Sequence, residues 1–201
     1  GRRAGYDVIT SASAGFVGYG YEAGFSLLSG AGNTALGYRT LKNNEDGDFN
    51  TAVGHQALET FEADADGHGN NTAVGYNAGN AISTGTENTC IGATAGATGS
   101  NNLTTGDNCT LIGNSTAVSA SGADNQTVIG NGTTGVANAS VTLGNAGVTA
   151  IYAAQDSGAV VYCAGINFPD SHAQSDDVNT LDDYEEGTFS PTMIQTGSSS
   201  I

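Results

Sequence analysis

Asn50-Thr51-Ala52-Val53-Gly54-His55-Gln56-Ala57-Leu58 is the stretch on which the fold turns. Its first five residues recur as Asn33-Thr34-Ala35-Leu36-Gly37, Asn71-Thr72-Ala73-Val74-Gly75 and Asn88-Thr89-Cys90-Ile91-Gly92. Looser copies, with one more residue between Asn and Gly, are Asn108-Cys109-Thr110-Leu111-Ile112-Gly113 and Asn125-Gln126-Thr127-Val128-Ile129-Gly130. The pattern fades into Gly15-Phe16-Val17-Gly18 at one end and Ser140-Val141-Thr142-Leu143-Gly144 at the other. The anchors of the repeat are therefore Asn33, Gly37, Asn50, Gly54, Asn71, Gly75, Asn88, Gly92, Gly113, Gly130 and Gly144, with Gly18 as the first glycine. A fixed period of this kind must be read before any single element, because it decides the architecture.

Each unit is too short for a helix hairpin, and several glycines per unit, at about 1 kcal/mol each relative to alanine, exclude a helix. The β-branched residues suit a short strand. Alternation with period two sends Thr51 and Val53 to one face and Asn50 and Ala52 to the other. The glycine then supplies a corner with positive φ or close backbone approach. Turn clusters such as Asn43-Asn44-Glu45-Asp46-Gly47-Asp48 and Ser83-Thr84-Gly85-Thr86-Glu87 separate the units. The sequence thus predicts an all-β chain, a parallel β-solenoid (β-roll) of 17–21-residue coils. Coils should lie about 4.8 Å apart with like residues stacked on like. Insertions are expected around residues 63–69 and 100–105, as surface loops on alternate coils.

Composition alone would mislead. Leu, Ile, Val and Phe make up 36 of 201 residues and the net charge is −16, a balance usual for disordered chains. Proline occurs only at Pro169 and Pro191, and the glycine, asparagine and threonine fall in register, so a small-residue ladder is the better reading. Residues 43–201 contain no Lys or Arg, which excludes nucleic acid and anionic lipid as partners. No apolar run of membrane-spanning length occurs, so no membrane insertion is expected. The chain opens at Gly1 instead of a methionine, as a processed or partial chain would. Each coil offers one or two aliphatic residues, about 1.5–3 kcal/mol apiece when buried. Ordering costs about 1.5 kcal/mol per residue. A lone thin solenoid would be marginal, which predicts a parallel homotrimer.

The repeat resembles two related groups: phage tail-fibre and related virion proteins with "NTAxGxxAL" repeats, and the β-roll heads of trimeric autotransporter adhesins. It covers roughly residues 14–146. The segment Leu181-Asp182-Asp183-Tyr184-Glu185-Glu186-Gly187-Thr188-Phe189-Ser190-Pro191-Thr192, preceded by Gly165-Ile166-Asn167-Phe168-Pro169, resembles the "LDDYEEGTWTP" connector of phage fibre proteins. The resemblance implies a trimeric tail-fibre or spike shaft, located in the virion and extracellular when functional. Its partners would be other tail or fibre proteins and a host surface glycan or protein, bound through a distal domain. The alternative is an adhesin head on a bacterial surface. Residues 1–13 would join a preceding shaft, 14–150 form the repeat solenoid, and 151–201 form a transition segment.

Sites of chemistry are few. Cys90, Cys109 and Cys163 read as small buried residues, with a Cys90–Cys109 disulfide as the alternative. Asp64-Ala65-Asp66-Gly67-His68-Gly69 has part of the oxygen-ligand spacing of a calcium loop but lacks the closing glutamate, so a solvated loop is expected and no metal or cofactor is assigned. Glu59, Glu62, Asp64 and Asp66 are the carboxylates a glycan hydrolase would need, but they crowd one loop. His55, His68 and His172 share no spacing with a serine or an acid. No catalytic residue is assigned and the chain is not expected to be an enzyme. His55 follows an anchor glycine, where Tyr19, Tyr38 and Tyr76 also occur, and reads as a stack member. The tyrosines, Tyr21 included, form either a carbohydrate platform or, as expected here, a packing stripe at a coil corner or subunit interface. An ice-binding face would need a Thr-x-Thr array, whereas Thr34, Thr51, Thr72 and Thr89 run in single file. Several Asn-x-Ser/Thr sequons, Asn70-Asn71-Thr72 among them, read as ladder residues.

Overall fold

The computed structural model describes residues 3–5, 14–65 and 67–151. Eight strands follow in chain order: β1 (Val17–Tyr19), β2 (Thr34–Leu36), β3 (Thr51–Val53), β4 (Thr72–Val74), β5 (Thr89–Ile91), β6 (Thr110–Ile112), β7 (Gln126–Ile129) and β8 (Ser140–Leu143). They form one parallel sheet in sequential order. Among the described residues there is no helix, and the chain winds as a β-solenoid of about seven turns, the architecture the repeat predicts. The connector, Cys163 and His172 lie outside the described residues, as does most of 1–13.

Register is strict. Ala35, Ala52, Ala73, Cys90, Leu111 and Val128 occupy one column, each paired with the next. All are fully buried, while the strand residues on either side of them face outward. The interior is filled from the opposite corners by Leu27, Leu41, Leu58, Phe61, Ile82 and Leu103. Small residues in the strand column leave room for these larger ones across a narrow coil.

Register also revises two sequence alignments. Gly18 pairs with Ala35 and Tyr19 with Leu36, so the glycine that precedes Gly37 in the anchor column is Gly20, seventeen residues before it. In the looser repeats, Thr110 pairs with both Thr89 and Thr127. Cys109 and Gln126 therefore take the Asn position, and Asn108 and Asn125 sit one residue earlier. The last turn is shortened, since Gln126 pairs with Ser140. The insertions fall at 63–68, just past Phe61, and at 97–102, closed by Leu103 N–H donating to Gly96 O at 3.0 Å. The two loops leave their coils at different corners.

The turns between strands use left-handed backbone in columns. Phe49, Asn70, Glu87, Asn108, Asn125 and Ala139 have φ between 51° and 59°, one below another, and Gly15 and Gly32 begin the same column. A second column runs Glu22, Arg39, Gln56, Asn77, Thr94 and Ser115. A non-glycine residue in this region costs about 1–2 kcal/mol, which the inter-coil hydrogen bonds offset. Ala139 has no compensating side-chain bond and is exposed. Ala139→Gly is therefore expected to raise the unfolding free energy by about 0.5–1 kcal/mol, read from the urea midpoint at unchanged slope.

Candidate functional site

Three columns of side chains run along the solenoid axis, and the arrangement of each is dictated by stacking. The first is internal. Asn33, Asn50, Asn71 and Asn88 are fully or almost fully buried. The Oδ1 of each accepts the backbone N–H of the next position: Asn33 from Asn50 at 2.8 Å, Asn50 from Asn71 at 3.0 Å, Asn71 from Asn88 at 3.0 Å, and Asn88 from Cys109 at 2.9 Å. The Nδ2 groups donate to carbonyls of the following turn, as Asn71 does to Gly85 at 2.9 Å and Asn88 to Gly106 at 2.8 Å. Cys109 replaces the carboxamide with a thiol that donates to Ala123 O at 3.0 Å.

The neighbouring anchor glycines (Gly37, Gly54, Gly75, Gly92, Gly113) have φ between +128° and +140°, and a Cβ on any of them would strike the glycine carbonyl of the next coil. The sequence anchors thus coincide with the positions where coils touch most closely, except for Gly130 and Gly144 in the shortened last turn. There the group nearest a Cβ on Gly130 is the Thr133 hydroxyl, and on Gly144 it is the Val148 side chain.

The second column is external. Thr34, Thr51, Thr72, Thr89, Thr110 and Thr127 stack in one file, and Leu36, Val53, Val74, Ile91, Ile112, Ile129 and Leu143 in the other. Ile91 is 40% exposed, and its neighbours in the file are similar. This strip contains no charged residue although the chain carries −16. Its threonines remain single file, with aliphatic residues where a second file would stand.

The third column lies at the corner after the anchor glycine. Tyr21 and Tyr38 stack with ring centroids 5.6 Å apart, Tyr38 and His55 at 4.8 Å, and His55 and Tyr76 at 5.4 Å. Their faces cover one another, so the four rings form a packing stripe, and the inner rings offer no free face to a sugar. Tyr19 is not part of it, because it stands in β1 above Leu36.

Most acids among the described residues are engaged in holding coils together. Glu22 receives Arg3 at 3.6 Å, Arg39 at 3.6 Å and Lys42 at 3.4 Å, and Arg39 reaches Glu59 at 2.7 Å. Burial pushes the Glu22 carboxyl up, but the Tyr21 hydroxyl, Lys42 and Arg39 outweigh it and hold the group below its ordinary range. Asp48 accepts Ala31 N–H at 2.6 Å, Asp107 accepts Thr86 N–H at 2.7 Å, and Asp124 accepts Asp107 N–H at 2.9 Å. Glu62 accepts Glu45 N–H at 2.8 Å; burial, with Glu45 and Asp46 close by, raises its pKa.

Of the loop acids, Asp64 pairs with His68 at 2.7 Å in the open, and Asp66 lies outside the described residues. Among the described residues no group of three or more His, Cys, Asp or Glu is placed to hold a metal ion. Cys90 and Cys109 are both free thiols. They sit on adjacent coils but two strand positions apart, a diagonal of about 7–8 Å that a disulfide does not span without backbone movement. Burial pushes the Cys90 thiol up to about 12, so it is inert at neutral pH.

Comparison of the chain with protein-family models, with curated proteins and with solved structures returned no match.

Proposed function

We propose that the chain is a shaft segment of a bacteriophage tail fibre or spike, a homotrimer that acts as a rigid spacer supporting host attachment. The observation that carries the reading is the uncharged strip of outward-facing Thr and aliphatic side chains, in register from β2 to β7. The chain carries a net charge of −16, and on this strip no acid of one copy would meet an acid of another. A periodic strip presented by parallel coils is matched by the same strip on another copy in the same orientation, and closure around a three-fold axis leaves no edge of it exposed. The mechanism is mechanical. Backbone ladders, buried carboxamides and stacked rings resist bending, and about 4.8 Å of length is added per coil. The tail-fibre identity itself rests on the repeat and connector resemblance, with a distal domain engaging a host glycan or protein.

Sedimentation equilibrium of the full chain tests the assembly, with a trimer expected. The double substitution Val74→Asp and Ile91→Asp, at two adjacent places in the strip, is expected to yield monomer. A parent chain that sediments as a monomer overturns the reading.

A further inference from the structure

The corner column of rings stops at a defined place. Thr94 N–H donates to Tyr76 O at 2.7 Å and Ser115 N–H to Ala93 O at 2.9 Å, which continues the corner and puts Ala93 below Tyr76 and Asn114 below Ala93. A methyl group thus stands where the column would carry a fifth ring. One face of Tyr76 covers His55. The other looks along the axis over Ala93 with no ring against it. Tyr76 is 54% exposed, the most of the three tyrosines in the column, against 42% for Tyr38 and 40% for Tyr21 at the other end. Coils about 4.8 Å apart separate Tyr76 from Asn114 by about 9.6 Å, twice the ring spacing, so the notch is one ring thick.

The lower rim of the notch is polar and already organised. The Thr94 and Ser115 hydroxyls are 3.0 Å apart, and the Ser115 hydroxyl donates to Asn114 Oδ1 at 2.9 Å. That bond orients the Asn114 carboxamide, whose NH2 has no partner among the described residues. A guest that satisfies both walls needs an apolar ring face on one side and hydroxyl acceptors at its edge on the other. An aromatic hydrocarbon guest would stack on Tyr76 but displace water from the exposed Asn114 amide without replacing its hydrogen bonds.

We propose that the notch between Tyr76 and Asn114, floored by Ala93, binds a single hexopyranose residue. The C–H face of the sugar lies on the Tyr76 ring and a ring hydroxyl accepts from the Asn114 NH2. An open site of one ring belongs to the millimolar class, useful when many copies act together. The site does not depend on trimer formation, so its failure and that of the trimer are read separately.

The test is an NMR titration of the full chain with methyl β-D-galactopyranoside and methyl α-D-glucopyranoside, following the Tyr76 ring and the Asn114 NH2 resonances. At least one glycoside is expected to give saturable millimolar shifts. Ala93→Tyr, which extends the stack into the notch, should weaken binding about tenfold or more. Asn114→Ala, at an exposed position, should weaken it without disturbing the rings and carries the test if Ala93→Tyr does not fold. Absence of saturable shifts with both glycosides, unchanged binding in the folded variants, or saturation by p-cresol in place of the glycosides overturns the proposal; the last result would point to an aromatic side chain of a protein partner.

Discussion

Gly54→Ala is expected to lower the unfolding free energy by about 4 kcal/mol or more, from the addition of one methyl group. Gly54 has φ +137°, and a Cβ there would lie 2.3 Å from Gly75 O and 2.8 Å from Gly75 C. Neither side can yield. Gly54 N–H donates to Leu36 O at 2.8 Å and Gly75 N–H to Val53 O at 2.8 Å, so moving either glycine breaks the ladder that joins three coils. Strain from the positive φ alone is about 1–3 kcal/mol, and the collision adds to it. Gly67→Ala is the control. It has φ +85° and nothing within 4 Å of the added carbon. Its cost is therefore the backbone term only, about 1–2 kcal/mol. Urea denaturation of both variants separates the effects. Equal losses would mean that close approach of the coils is not what the glycine column provides.

How much of this was legible in the sequence depends on whether stacking or local preference decides a residue's place. Thr72, Ala73 and Val74 could be assigned to their faces from period-two alternation, because β4 lies between the identical triplet of β3 and the like-patterned Thr89-Cys90-Ile91 of β5, and any slip would turn the small central residues outward. The ring column was legible in part. His55 stands among tyrosines because it follows an anchor glycine, but Tyr19 follows a glycine too and is not in the stack. Gly18 and Gly20 flank it symmetrically, and only the contact of Gly20 with the Gly37 carbonyl distinguishes them. Asn108 misled for a different reason. It looks like a ladder asparagine, yet the ladder needs a buried donor and acceptor at one position, and the thiol of Cys109 meets that need. Arg39, Leu41, Phe49 and Leu58 in left-handed backbone carry no local signal at all, since their intrinsic preference opposes it. The next coil's hydrogen bonds impose the conformation. The corner notch is legible only once the column is known, as an alanine directly after four successive rings at the same position.

The buried carboxamides define the second large effect. Asn71→Ala removes the acceptor of Asn88 N–H, the donor to Gly85 O, and the 3.2 Å contact of Nδ2 with Asn50 Oδ1. Asn88 and Asn71 sit in the dry interior, so water does not replace these partners without opening the coil. Each orphaned buried group costs about 1–3 kcal/mol, giving a combined loss of about 3–5 kcal/mol. Because each coil touches only its neighbours, the damage should be local: the Asn88 amide should lose protection from hydrogen exchange before that of Thr127, two coils away. Asn71→Cys distinguishes hydrogen bonding from volume. The thiol of Cys109 already bridges to Ala123 O and lies against the Gln126 backbone N–H in the same column. A thiol at 71 should therefore recover part of the loss, leaving about 1–2 kcal/mol. If Asn71→Ala and Asn71→Cys were equally destabilised, the column would be filling space, and the unbroken run from Asn33 to Asn88 would need a cause other than the bond each carboxamide makes to the next coil.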